Sequence, residues 1–281
     1  MFFEIIMQRL SLPEKNENFA KNIFMDRNTY IGLAAAAATL LFIFLGQSEA
    51  PSGTQSDTAQ HRQQFTAVKG TPLIDGRSDD EVWRSAKWLP LDQVWIGENL
   101  SPADFSGRYK LAWDENNLYV LAEIIDDSLY DGHPDGLDHY WDDDCLEIFI
   151  DEDASGGNHQ YSYNAFAYHI ALDGKVVDIA PDSSFVYLND HCVTRRTTNG
   201  PLSTWEVAMR IYDGNHFDIH AENIPKSLSA GKQMGFALAY CDNDRSPERE
   251  HFIGSVVVEG EDKNRGWIDA GIFGLLELED Q

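Results

Sequence analysis

The chain has few cysteines, few basic residues and no long helical pattern, and each shortage excludes something. Cys145, Cys192 and Cys241 are too few for a disulfide framework, and an odd number leaves one unpaired. No Cys-x-x-Cys or Cys/His spacing suggests zinc. Gly-x-Ser-x-Gly, His-Glu-x-x-His and phosphate-loop motifs are also absent, so no common catalytic signature is present. Lysine and arginine total 21 against 47 aspartates and glutamates. Of these, 17 and 42 lie after residue 50, leaving that part with a net charge of −25. Such a surface repels phosphate backbones and anionic lipid, which excludes nucleic acid as a partner. It suits a neutral ligand or bound cations.

One apolar run stands out. Tyr30 to Gly46 is almost wholly apolar, follows Arg27 and precedes Ser48-Glu49-Ala50. A basic flank, a short apolar stretch and small residues at a cleavage site describe a signal peptide, with a retained signal-anchor as the rival. The run is slightly short for a spanning helix. Met25 resembles a natural start, and Pro51 disfavours cleavage just before it. The expectation is a leader over 1–50, tethered through 30–46 or cut before Pro51, then a flexible Ser/Thr/Gln/Gly linker over 51–64 and an exported domain over 65–281. The place is periplasmic or extracellular, free or anchored to the inner membrane.

Residues 65–281 read as all-β. Ser78-x-x-Glu81 predicts a capping box and a short helix carrying Val82 and Trp83. Beyond it the apolar period is two. Tyr109–Trp113 and Leu118–Ile125 flank Asp114-Glu115-Asn116-Asn117, a hairpin signal. Cys145–Asp151 alternates, with Leu146, Ile148 and Ile150 on one face. Tyr161–Leu172, Lys175–Ile179, Trp205–Ile211, Gly235–Asp242, Phe252–Val258 and Ile272–Leu278 complete a set of short strands that predicts a β-sandwich.

Sugars are held by aromatic faces on their C–H surfaces and by polar groups on their hydroxyls. That requires aromatics on loops. Trp141 and Trp267 each lie in a polar stretch just before a strand, whereas Trp83, Trp113 and Trp205 have core-like neighbours. Trp88 and Trp95 fit either role. Glu147 and Asn164 are polar residues inside apolar strands, each serving either a structural hydrogen bond or a ligand.

Ile74-Asp75-Gly76, Asp79 to Trp83, Trp113-Asp114 with Leu118-Tyr119-Val120, and above all Trp141-x-x-Asp144-x-x-Glu147-Ile148-Phe149-Ile150-Asp151 together resemble the family 9 carbohydrate-binding module. Gly235-Phe236 and Phe273-Gly274 extend the likeness over about 68–278. The resemblance implies a jelly-roll-like β-sandwich that binds mono- or oligosaccharide between two tryptophans, with structural calcium and a role in carbohydrate uptake or breakdown. It places the stacking pair on Trp141 and Trp267, and polar site positions on Glu147, Asn164 and Asn264. Two donors of the family pattern are missing, since Ser162 stands at an arginine position and Ala239 at a glutamine position; His169, Tyr163 and Arg265 are candidate replacements. Among several carboxylate-rich loops, Asp144, Asp151 and Asp153 are the candidate calcium ligands. Two alternatives to non-catalytic binding remain: a glycoside hydrolase built on a carboxylate pair, and a haem protein with His169 and Met209 or Met234 as axial ligands.

Overall fold

The computed structural model describes residues 62–280, apart from 99 and 134. The leader and almost all of the linker lie outside them. Among the described residues, no helix is long and apolar enough to cross a membrane.

The domain is a sandwich of two sheets joined by its first strand. Strand β1 (Gln64–Lys69) runs parallel to β14 (Gly274–Leu278) through its first four residues. Its last two residues pair in parallel with β4 (Phe105–Trp113) in the other sheet. That second sheet continues antiparallel through β5 (Leu118–Asp126) and β11 (Leu202–Met209) to β10 (Cys192–Asn199). In the first sheet, β14 is followed by β12 (Gln233–Asp242), β6 (Cys145–Asp151), β7 (Phe166–Ala171), β8 (Val176–Ile179) and β9 (Phe185–Tyr187). Strand β13 (His251–Gly254) also pairs with β12, and β3 (Gln93–Ile96) pairs with β13. The remaining strand, β2 (Leu89–Leu91), lies against β4.

The predicted β4–β5 hairpin forms because Asp114 Oδ1 accepts the backbone N–H groups of Asn116 and Asn117, at 2.8 and 2.9 Å. Between the sheets lie Trp113, Trp205, Ile148, Phe236 and Tyr240, each at most 2% exposed. The helix α1 (Glu81–Ser85) is shorter than a capping box requires: its N-cap is Asp80, without a side-chain cap bond, and Ser78 stands outside it. Trp83 instead tucks under the helix onto the outer face of the second sheet, beside Ala112, Tyr119, Leu121 and Ala208.

Strand β6 is buried over its whole length. Its even residues face the inter-sheet core. Its odd residues, Cys145, Glu147, Phe149 and Asp151, face the other way, with His169 of β7 and Ala239 of β12 opposite Glu147 in the register. A buried outer sheet face needs a cover, and loops provide it.

Candidate carbohydrate site

The cover comes from two loops held by specific bonds. The loop carrying Trp141 is tied to the β12–β13 connection. Asn243 Nδ2 donates to Asp142 O at 2.6 Å, and Arg249 N–H donates to Asp142 Oδ1 at 3.1 Å. The indole of Trp141 packs on His139, Tyr140 and Phe185, with ring centroids 5.1–5.5 Å apart. The loop carrying Trp267 is closed by its own indole, whose Nε1 donates to Asn264 O at 3.1 Å. The buried His159 donates from Nε2 to Gly266 O at 2.7 Å, since a carbonyl only accepts. Gly266 itself passes close over Phe149: a Cβ there would meet the ring at 2.8 Å.

Between these loops and the odd face of β6 lies a cavity of about 320 Å³. Trp141 and Trp267 line it, both half-buried, together with Glu147, Asn264, His169 and Arg249. Four of the five residues expected to contact ligand thus share one cavity. The fifth, Asn164, does not line it. Residues 161–165 form turns rather than strand, and Asn164 Nδ2 donates to Gly156 O at 3.1 Å, a loop-fixing bond.

Glu147 is 1% exposed, and its Oε2 lies 3.1 Å from His169 Nε2. Burial disfavours the imidazolium, but the Glu147 charge outweighs it and raises the His169 pKa. Of the suggested replacement donors, only His169 reaches the cavity. Tyr163 packs on Phe166 and Phe217, while Arg265 donates to Glu259 O and Asp262 O. The strong donor is Arg249, absent from the sequence reading. Its guanidinium lies 4.2 Å over the Phe252 ring and donates to Asn264 Oδ1 and Cys241 Sγ, each at 3.1 Å. Nothing local in Ser246-Pro247-Glu248-Arg249 distinguishes it from a solvated loop arginine. Tyr140 and Phe185, also in the wall, were equally silent.

These features match a known group. A family model described as "Carbohydrate family 9 binding domain-like" fits residues 74–281. The chain belongs to this family. Family 9 modules bind carbohydrate and are non-catalytic. The family 9 domain is 26% identical over 215 residues to endo-1,4-beta-xylanase A of Thermotoga neapolitana, covering 76% of this chain and 17% of that protein. It is 32% identical over 220 residues to exoglucanase XynX of Acetivibrio thermocellus, covering 77% and 17%. The chain therefore spans under a fifth of these relatives. Among solved structures, a family 9 module from Caldicellulosiruptor kristjanssonii in complex with cellotriose aligns with TM-score 0.59 and 21% identity, covering 78% of this chain and 95% of that one. The complex with glucose aligns with TM-score 0.57 and 20% identity, covering 78% and 97%. At these identities the likeness shows a shared fold.

The family 9 fold separates the haem candidates. Met209 and Met234 are fully buried in the inter-sheet core, whereas His169 is on the opposite, cavity-facing side of its sheet. No haem is held by that pair. The expected calcium ligands are separated too. Asp144 precedes β6 and Asp151 ends it, a span of roughly 20 Å at strand rise. One ion cannot bind both. Asp151 Oδ2 accepts Gly156 N–H at 2.7 Å while its buried Oδ1 has no hydrogen-bond partner among the described residues, with Asp153 beside it at that end. Asp144 gathers with Asp126 and Asp242, all buried, with carboxylate oxygens within 4.8 Å of one another. Burial and the neighbouring charge of Asp126 push Asp144 up to about 9 and Asp242 to about 7. A hard oxygen-only donor set fits calcium, with Asp242 also paired with His251 Nδ1 at 3.0 Å.

Proposed function

We propose that this domain is an exported, non-catalytic binder of mono- or oligosaccharide that grips a pyranose between Trp141 and Trp267 and serves carbohydrate uptake or breakdown. The carrying observation is that both indoles, 126 positions apart in the chain, line one largely apolar cavity into which Glu147, His169, Arg249 and Asn264 bring polar groups. At about 320 Å³ the cavity is at the small end of ligand pockets, which suits one or two sugar rings rather than a long chain. Glu147 offers an acceptor for sugar hydroxyls, and Asn264 and Arg249 offer donors. The cellotriose and glucose bound by the structural relatives make β-glucan oligosaccharides the first ligands to test. Calcium, at Asp126, Asp144 and Asp242, holds the loops behind the site. The apolar run at 30–46 exports the domain to the periplasm or the exterior, with or without anchoring it.

Calorimetric titration with cello- and xylo-oligosaccharides, after a glycan array, tests the reading. Trp141→Ala and Trp267→Ala each weaken binding by about 1–3 kcal/mol, the value of a buried aromatic anchor. Their circular dichroism stays that of the parent. Unchanged affinity in both variants removes the indoles from the site.

A further inference from the structure

At the cavity floor lies a donor cluster that pairs two buried cysteines, which sugar binding does not use, with His169 and Glu147, which also line the cavity. Cys145 of β6 and Cys241 of β12 are direct cross-strand partners in the antiparallel register. On the other side of β6, His169 of β7 is one diagonal step from Cys145, and the position directly opposite Cys145 is Ala171. The two sulfurs and a ring nitrogen of His169 all lie within 4.8 Å of one another, and all three residues are buried. The register partners of Cys145 and Glu147 on the flanking strands include the small residues Ala171 and Ala239.

Three details point to a cation at this place. First, His169 Nδ1 lies 3.2 Å from Ala167 O, and since a carbonyl only accepts, Nδ1 carries the proton. A histidine oriented this way presents Nε2 as a ligand atom, the arrangement common in metal sites. Second, the buried Glu147 Oε2 lies 3.1 Å from His169 Nε2 and has no other polar partner among the described residues. Two ligands of one tetrahedral ion stand about that far apart. Third, the Arg249 guanidinium donates to Cys241 Sγ, which favours a thiolate.

We propose that Cys145, Cys241 and His169 bind one zinc ion beneath the sugar cavity, with Glu147 completing the shell. The donors are two soft sulfurs, an imidazole and one carboxylate, which suits zinc and excludes calcium or magnesium. Charge also closes: two thiolates and one carboxylate are balanced by the divalent ion and Arg249. On binding, the Cys145 thiol proton is released to solvent, as is any proton on Cys241 or His169 Nε2. This site is independent of the calcium cluster and does not require the sugar reading to hold.

The test uses the full chain, purified under reducing conditions and stripped of metal. Zinc is expected to bind at one ion per chain and to shield Cys145 and Cys241 from alkylation. Cobalt added in its place is expected to show thiolate charge-transfer and tetrahedral ligand-field bands. Cys145→Ser and Cys241→Ser abolish the charge-transfer band or halve it, Glu147→Gln weakens zinc at least about tenfold, and Cys192→Ser leaves the spectrum unchanged. The shielding measurement needs no variant, so misfolding of a variant does not blunt the test. Failure of the unmutated chain to bind zinc or cobalt overturns the proposal. So does a Cys145–Cys241 disulfide in protein taken directly from the exported compartment.

Discussion

Glu206 has no exposed surface, yet it occupies a strand position whose alternation suggests an outward side chain. Its Oε2 accepts the backbone N–H groups of Asp75, Gly76 and Arg77 at 2.8–3.2 Å, and its Oε1 accepts Trp83 Nε1 at 2.7 Å. One carboxylate thereby fastens the loop before α1 and the tryptophan that covers the outer sheet face. Burial raises its pKa, and the four donors oppose that rise. Glu206→Ala strands these donors, so it should cost about 3 kcal/mol of folding stability. Urea denaturation measures the loss. A midpoint matching the parent would mean that water replaces the carboxylate without cost. The glycine next to the clamp contributes as well. Gly76 has φ +83°, and a Cβ there would strike Thr197 at 2.7 Å.

At the level of strands and loops, His191 joins β7 of the first sheet to the edge of the second. It stands before β10, 2% exposed, with Tyr168 Oη of β7 2.7 Å from its Nδ1 and the Tyr212 ring 4.1 Å away. Burial lowers its pKa to about 4, against 6.5 in an unfolded chain. Between those values the unfolded state binds the extra proton. The stability is therefore intact above about pH 6.5 and is lost as pH falls towards 4, by at most about 3 kcal/mol. Denaturant midpoints at pH 7 and pH 5 should differ, and His191→Gln should flatten the difference. A slope unchanged by the substitution would assign the acid sensitivity to other groups. Elements of this kind divide by how local their signals are. The β4–β5 hairpin, the alternation of β6 and the loop position of Trp141 and Trp267 were legible because each depends on a few neighbouring residues. Asn164 was misread because aromatic, β-rich residues around it form turns held by tertiary contacts. Arg249, the gathering of Asp126, Asp144 and Asp242, and the Cys145–Cys241–His169 cluster come from strand order. Short-range pattern carries no information about which strands become neighbours.

The whole molecule carries a formal charge of −26, and three of its acids are packed together inside. These facts make separable demands on solution conditions. General repulsion is long-ranged and weakens as the Debye length falls from about 30 Å at 0.01 M salt to about 8 Å at 0.15 M. Melting temperature should therefore rise with sodium chloride over that range, in the parent and in loop variants alike. The Asp126–Asp144–Asp242 cluster is buried from that screening, and its repulsion is relieved by proton uptake on Asp144 and Asp242 or by a bound cation. At fixed ionic strength, calcium should raise the melting point further and chelator should reverse the gain, because a ligand of the folded state stabilises by mass action. Asp242→Asn should remove most of the calcium response and leave the sodium response in place. If magnesium matches calcium, or if Asp242→Asn alters both responses equally, the cluster is only part of a diffuse acidic surface. If calcium alone acts and the variant alone loses it, the ends of β5, β6 and β12 are joined by an ion directly behind the loop that carries Trp141.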